Sequence, residues 1–323
     1  MSTKPSLRAA HALDTLLDAT VAPGFTRAGL AVRRRLPGWP ADPAPDALAG
    51  RRALVTGATS GLGEATALGC LRLGAHVDLV VRNTEKGDDS RNRLLGQCPQ
   101  GSVEIVRCDL SDLHDIRRAV GVLTQDQRPI DVLVHNAGAM PAQRSESAQG
   151  HELTMSLHVL GPVLMTILLA PRLAADSRVI MVTSGGMYGQ KLRDDDPEFH
   201  LGDYSGVTAY ARSKRAQVEV LPLLQERLGD GIHVYATHPG WADTPGVADS
   251  LPTFRKITRP LLRDAREGAD TTVWLSAVEP APAGGQFFHD RRARTTHKWG
   301  LNKSDPGAAR RMWSWVLAQL DLT

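Results

Sequence analysis

From Arg51 onward, short apolar runs alternate with stretches of helical pattern, and that alternation limits the fold more than any other feature. "RALVTG", "HVDLVVR", "VEIVRCDL", "IDVLVHNAG", "RVIMVTS", "HVYATHPG" and "GGQFFHD" have the length and β-branched content of strands. Between them lie "GEATALGCLRLG", a helical stretch to about Gln97, "LHDIRRAVGVLTQ", a long helix through 146–174, a helix over 206–228 and "REGADTTVWLSAV". "PGAARRMWSWVLAQL" closes the chain as a C-terminal helix. Strands apolar on both faces and joined by helices cannot form hairpins. They predict an α/β fold, a Rossmann-type doubly wound parallel sheet of about seven strands flanked by helices. The organisation expected is an N-terminal extension and linker over 1–50 and a single domain over 51–323.

The extension differs in composition. "SLRAAHALDTLLDAT" has a helical pattern, whereas "LPGWPADPAPDALAG" is dense in Pro, Ala and Gly and reads as a linker. The 1–50 segment is expected to pack on the main domain or on something else, and docking on a membrane surface is one such role. A formal charge of +3 is too small to imply nucleic acid, and the runs Arg33-Arg34-Arg35 and Arg291-Arg292 read as solvated surface. The three cysteines, Cys70, Cys98 and Cys108, have no metal-ligand spacing and suit a reduced, cytoplasmic chain. No uninterrupted apolar run reaches the ~18 residues of a membrane span, and "LHVLGPVLMTILLAPRL" reads as a buried helix. Neither Asp194-Asp195-Asp196 nor His238 and His289 has the spacing of a metal site, so no metal is expected.

The first strand runs straight into "TGATSGLGEA", with glycines at 57, 61 and 63 and a helix behind them. Glycine permits positive φ and a close approach of backbone to a pyrophosphate. The helix N-terminus then offers free N–H groups and the positive end of its dipole. A plain strand–helix turn needs one glycine; three at this place point to a dinucleotide.

The spacing T-G-x-x-x-G-x-G resembles the short-chain dehydrogenase/reductase family. Further motifs follow in order: Asp109-Leu110 after the third strand, Asn136-Ala137-Gly138 after the fourth, Ser184 after the fifth, Tyr210 and Lys214 in "YARSK", and Pro239-Gly240 after the sixth, with Thr244 beyond. The match spans roughly residues 51–290. "HPGWADTPGV", "GQFFHDRRARTTH" and the extension before the first strand are similar to the subgroup typified by family member 12, and more distantly to the retinol-dehydrogenase-like branch.

The resemblance implies hydride transfer between a nicotinamide and a carbonyl or alcohol of a small molecule. It implies Tyr210 as acid/base, Lys214 as its electrostatic partner and a ribose ligand, and Ser184 as a donor to the substrate oxygen. It places Thr56, Gly57, Thr59, Ser60, Gly61, Leu62, Gly63, Asp109, Leu110, Asn136, Ala137, Gly138, Pro239, Gly240, Trp241 and Thr244 against the cofactor, beside Tyr210 and Lys214. Tyr188 and Tyr204 are rivals to Tyr210, but Leu192 and Thr208 stand four positions after them where a basic residue is needed. Where the family has Asn before the fifth strand, "HVLGP" puts His158. An α-helix would direct the N–H of residue 162 to the carbonyl of His158, and Pro162 has none. That carbonyl is therefore expected to hold a water on a proton path from Lys214, with His158 joining the catalytic set.

Cofactor preference is read after the second strand. "LVVRNTEK" lacks the carboxylate that holds a ribose 2′-hydroxyl and has Arg82, with Asn83 next, so NADP(H) is expected over NAD(H). Met140, Met187 and Trp241 follow strands at the end where ligands bind, and read either as an apolar substrate wall or as plain packing. The competing function is a protein that binds NADP(H) without turnover, as a sensor or a membrane-surface regulator. An oligomer is compatible with all of these.

Overall fold

The computed structural model describes residues 6–244, 252–303 and 305–322. Its centre is an eight-stranded sheet in the order β3-β2-β1-β4-β5-β6-β7-β8. The strands are β1 Arg52–Thr56, β2 His76–Val81, β3 Ser102–Arg107, β4 Ile130–His135, β5 Leu173–Val182, β6 Ile232–Thr237, β7 Gln286–His289 and β8 Arg292–Ala293. All neighbours are parallel except β7 and β8. The short antiparallel β8 is the strand beyond the expected seven; it carries too few residues to show a period-two pattern.

The helices of the sheet are α4 Gly61–Arg72, α5 Thr84–Gln97, α6 Leu113–Leu123, α7 Leu153–Arg172, α8 Gly206–Leu228, α9 Pro252–Thr258, α10 Ala265–Ala277 and α11 Ala308–Gln319. Side chains start several of them. Asn83 accepts the Lys86 N–H, Asp112 those of His114 and Asp115, and Asp264 forms a reciprocal capping box with Glu267. The sheet is buried on both faces. One core holds Ile116, Leu160, Val163, Leu164 and Leu221, and the other holds Ala67, Leu71, Leu94, Trp274 and Leu275. Strand order reverses between β1 and β4, which opens a crevice at the carboxyl ends of the strands.

Helix α7 begins at Leu153 rather than near residue 146 and contains a π turn over Ser156–Leu160. It is long and apolar enough to cross a membrane, but 72% of its most apolar window is buried within the fold.

The N-terminal segment forms α1 Leu7–Ala19, α2 Val21–Phe25 and α3 Arg27–Arg35, and lies against the β7–β8 end of the sheet. Here the structure corrects the reading of the basic runs. Arg33 is 2% exposed and Arg291 8%. Arg33 pairs with Asp14 at 2.9 Å and with Asp290 at 2.6 Å, and Arg263 reaches the same Asp290 at 2.6 Å. Arg291 pairs with Asp270 at 2.8 Å. These guanidiniums are buried with their carboxylates because a buried charge without a partner costs several kcal/mol. Residues 36–50 also pack on the body: Leu48 is buried and the Trp274 indole donates to the Ala41 carbonyl at 3.0 Å.

Candidate active site

At one end of the crevice, the loop after β1 turns at Gly57, whose φ is +64°; a Cβ there would lie 2.7 Å from the Ala137 Cα. Thr56 does not face the crevice. Its hydroxyl accepts the N–H groups of Asn136 and Ala137 at 3.0 Å each, tying this loop to the one after β4. Gly63 likewise sits behind the loop, where a Cβ would lie 2.3 Å from the Gly57 carbonyl oxygen. Ser60 makes no cap hydrogen bond to the first turn of α4, which leaves those N–H groups for an anion. Beyond the loop stand Arg82, Asn83 and Lys86. The Arg82 side chain is 78% exposed and lies 4.0 Å from Asp109.

At the other end, Ser184 follows β5, and Tyr210 and Lys214 stand one turn apart on α8. Burial raises the pKa of Tyr210 and the neighbouring Ser184 side chain lowers it, with burial the larger effect. The Lys214 ammonium donates to the Val182 carbonyl at 2.9 Å and lies 5.6 Å from the Tyr210 ring centroid. Burial brings its pKa down to about 7.

His158 is buried behind this wall and does not line the crevice. Its Nε2 accepts the Ala139 N–H at 3.1 Å, and its Nδ1 lies 2.8 Å from Ser213 Oγ, which donates to the Tyr210 carbonyl at 2.8 Å. These partners assign the proton to Nδ1. Burial, then Lys214, hold its pKa well below the ordinary range. The His158 carbonyl, left without a helical donor by Pro162, accepts the Gln217 side-chain amide at 2.6 Å.

The crevice is a single cavity of ≈ 780 Å³. It is lined by Gly57, Thr59, Ser60, Gly61, Leu62, Arg82, Asn83, Asp109, Leu110, Asn136, Ala137, Gly138, Ser184, Tyr210, Lys214, Pro239, Gly240 and Thr244, with Met140 and Trp241 on the apolar side. Met187 is not part of that side. It is 0% exposed, turned into the core by the 3₁₀ turn Gly185–Gly189.

The model of the short chain dehydrogenase family matches residues 51–253. The chain is a short-chain dehydrogenase/reductase. Dehydrogenase/reductase SDR family member 12 of Homo sapiens is 38% identical over 255 residues, covering 77% of this chain and 79% of the relative. Retinol dehydrogenase 12 of Homo sapiens is 31% identical over 274 residues, covering 83% and 85%. Among solved structures, the Pseudomonas aeruginosa RhlG/NADP active-site complex superposes with a TM-score of 0.62 at 26% identity, covering 76% of this chain and 96% of that one.

This short-chain dehydrogenase/reductase is therefore an oxidoreductase that uses a nicotinamide cofactor on small molecules. The residues present suit the cofactor: a loop with no space for a Cβ at Gly57, uncapped N–H groups behind it, and cations at the far end. Several lining residues were missed in the sequence. Lys86 lies four past Arg82, on the first turn of α5, and that spacing could have revealed it. Leu153, Leu157 and Val207 face the crevice from helices, where apolar residues otherwise read as core. His238, which has no metal-site spacing, lines it too.

Proposed function

We propose that the chain is a cytoplasmic NADP(H)-dependent carbonyl reductase or alcohol dehydrogenase acting on a small apolar molecule. The observation that carries this reading is the joining of Ser184, Tyr210 and Lys214 to the glycine loop in one cavity. The glycine loop and the first turn of α4 would hold the pyrophosphate, and Lys214 the ribose hydroxyls. Arg82 and Lys86 would take the 2′-phosphate, with Asn83 fixing the turn between them. When bound, the nicotinamide supplies or accepts the hydride at the substrate carbon.

In the reducing direction Tyr210 gives its hydroxyl proton to the substrate oxygen while Ser184 donates a second hydrogen bond. Removing such a donor costs ~10²–10³ in rate. In the oxidising direction the Tyr210 phenolate, the form left by the reductive step, takes the alcohol proton. Met140, Trp241, Leu153, Leu157 and Val207 exclude water around the reacting carbon. Residues 51–323 would make up the catalytic unit and 1–50 an extension packed on it. Screening apolar aldehydes and ketones for NADPH oxidation tests the proposal. Turnover that needs Tyr210 supports it; tight NADPH binding with no turnover on any compound would favour a sensor.

A further inference from the structure

The wall that carries Ser184 is backed by the N-terminal segment. Phe25, the last residue of α2, is 1% exposed. Its carbonyl accepts the Trp241 N–H at 2.8 Å, on the loop that lines the cavity after β6. Its ring meets His238 edge-on, with centroids 4.3 Å apart. The Nδ1 of His238 accepts the Gly185 N–H at 3.0 Å, and Gly185 directly follows Ser184. A Cβ on Gly185 would lie 2.8 Å from Phe25 Cε2 and 2.9 Å from His238 Nε2, so the loop closes on this pair with no space left. The histidine is fixed in turn: its main-chain N–H donates to the Phe288 carbonyl at 2.9 Å, and its main-chain carbonyl lies 2.9 Å from His289 Nδ1. Arg263 completes the clamp. It reaches the carbonyls of Gly24 at 3.3 Å and Pro239 at 3.2 Å while ion-paired to Asp290.

The backbone on both sides of the reacting centre thus rests on one residue from the extension and one histidine. Because Nδ1 accepts, the proton of His238 sits on Nε2, which has no hydrogen-bond partner among the described residues. Burial, His289 and Arg263 keep its pKa well below the ordinary range, which preserves the acceptor at neutral pH.

We propose that Phe25 and His238 are positioning residues through which the N-terminal segment sets Ser184 and Trp241 in the active site. The catalytic part of this claim rests on Ser184 being the donor to the substrate oxygen. The positioning part does not.

The test uses the full chain with Phe25→Leu, His238→Leu and His238→Asn, whose side-chain oxygen can replace the Nδ1 acceptor. Amide hydrogen exchange is followed by mass spectrometry without substrate. His238→Leu should speed exchange over 183–188 by ~10-fold, the effect of about one lost hydrogen bond, and Phe25→Leu, which removes only the ring packed on His238 and Gly185, should speed it by a few-fold. Phe25→Leu should also speed it over 239–242, and β1 and β2 should keep their protection. With the carbonyl compound turned over fastest in the screen, His238→Leu should lower kcat by ~10- to ~100-fold, as small misplacements in an active site do. His238→Asn should recover most of the rate.

Unchanged exchange over 183–188, or exchange raised equally in β1 and β2, would overturn the proposal. So would a His238→Asn variant as slow as His238→Leu. A Tyr210→Phe variant of full activity would instead overturn the proposed chemistry and leave the exchange result standing.

Discussion

The side-chain amide of Gln217 donates to the main-chain carbonyl of His158 at 2.6 Å, from a position three residues beyond Lys214 on α8. Pro162 removes the N–H that an α-helix would supply there, and α7 takes a π turn in which the Gly161 N–H reaches back to Ser156. Gln217→Met should leave this buried carbonyl short of a donor and lower stability by about 1–3 kcal/mol. A lower denaturant midpoint at unchanged slope would show it. No change in midpoint would mean that the carbonyl finds another donor.

His158 itself is used on both ring nitrogens, by Ala139 and Ser213, and is held neutral. It supports the helix turn that carries Tyr210 and does not touch the cavity. His158→Asn should therefore be active, and a folded His158→Ala should lose less than about tenfold in kcat, roughly 1.4 kcal/mol of barrier. A loss as severe as that of Tyr210→Phe would show the imidazole itself moving the proton.

What the sequence made legible was local. The alternation of strands and helices needs only period and apolar content, and helix α8 runs over Gly206–Leu228, the range expected. The glycine loop and the Tyr210–Lys214 spacing are likewise short-range patterns. What escaped depends on partners far along the chain. Arg33 looked solvated because Asp14 and Asp290 are distant in sequence. Met187 looked like a wall residue because nothing local announces the 3₁₀ turn that buries it. The Gln217 amide on the His158 carbonyl joins helices separated by β5. Pro162 announced the missing donor, but not its replacement.

Cofactor preference can be tested at the far end of the cavity. Arg82 is largely exposed and only loosely paired with Asp109 at 4.0 Å, so its charge is available to a phosphate, and Lys86 adds a second cation. Arg82→Ala and Lys86→Ala should each weaken NADPH binding far more than NADH binding, and together more than either alone. Equal losses for both cofactors, by titration of cofactor fluorescence, would contradict the preference for NADP(H).

Lys214 makes stability depend on pH. Burial lowers its pKa from the ordinary 10.5 to about 7 in the ligand-free protein. Between those values the unfolded chain binds a proton that the folded chain does not, so this group makes stability rise with pH across that window. Below it the folded chain bears the full cost of the buried ammonium. Lys214→Met should therefore be more stable than the parent at about pH 6, with the gain shrinking toward about pH 10. Thermal unfolding without cofactor across that range would check the sign, and a gain that grows with pH would refute it.

The central claim is that Tyr210 is the acid/base of an oxidoreductase. Its most direct test is single turnover of NADPH with the best carbonyl substrate from a screen, comparing Tyr210→Phe with Tyr188→Phe and Tyr204→Phe. The last two hydroxyls are engaged elsewhere, on the Thr295 carbonyl and the Glu152 carboxylate, both at 2.9 Å. The account predicts that Tyr210→Phe binds NADPH like the parent and oxidises none of it, while the two controls keep most of the rate. Normal NADPH oxidation by Tyr210→Phe would contradict it.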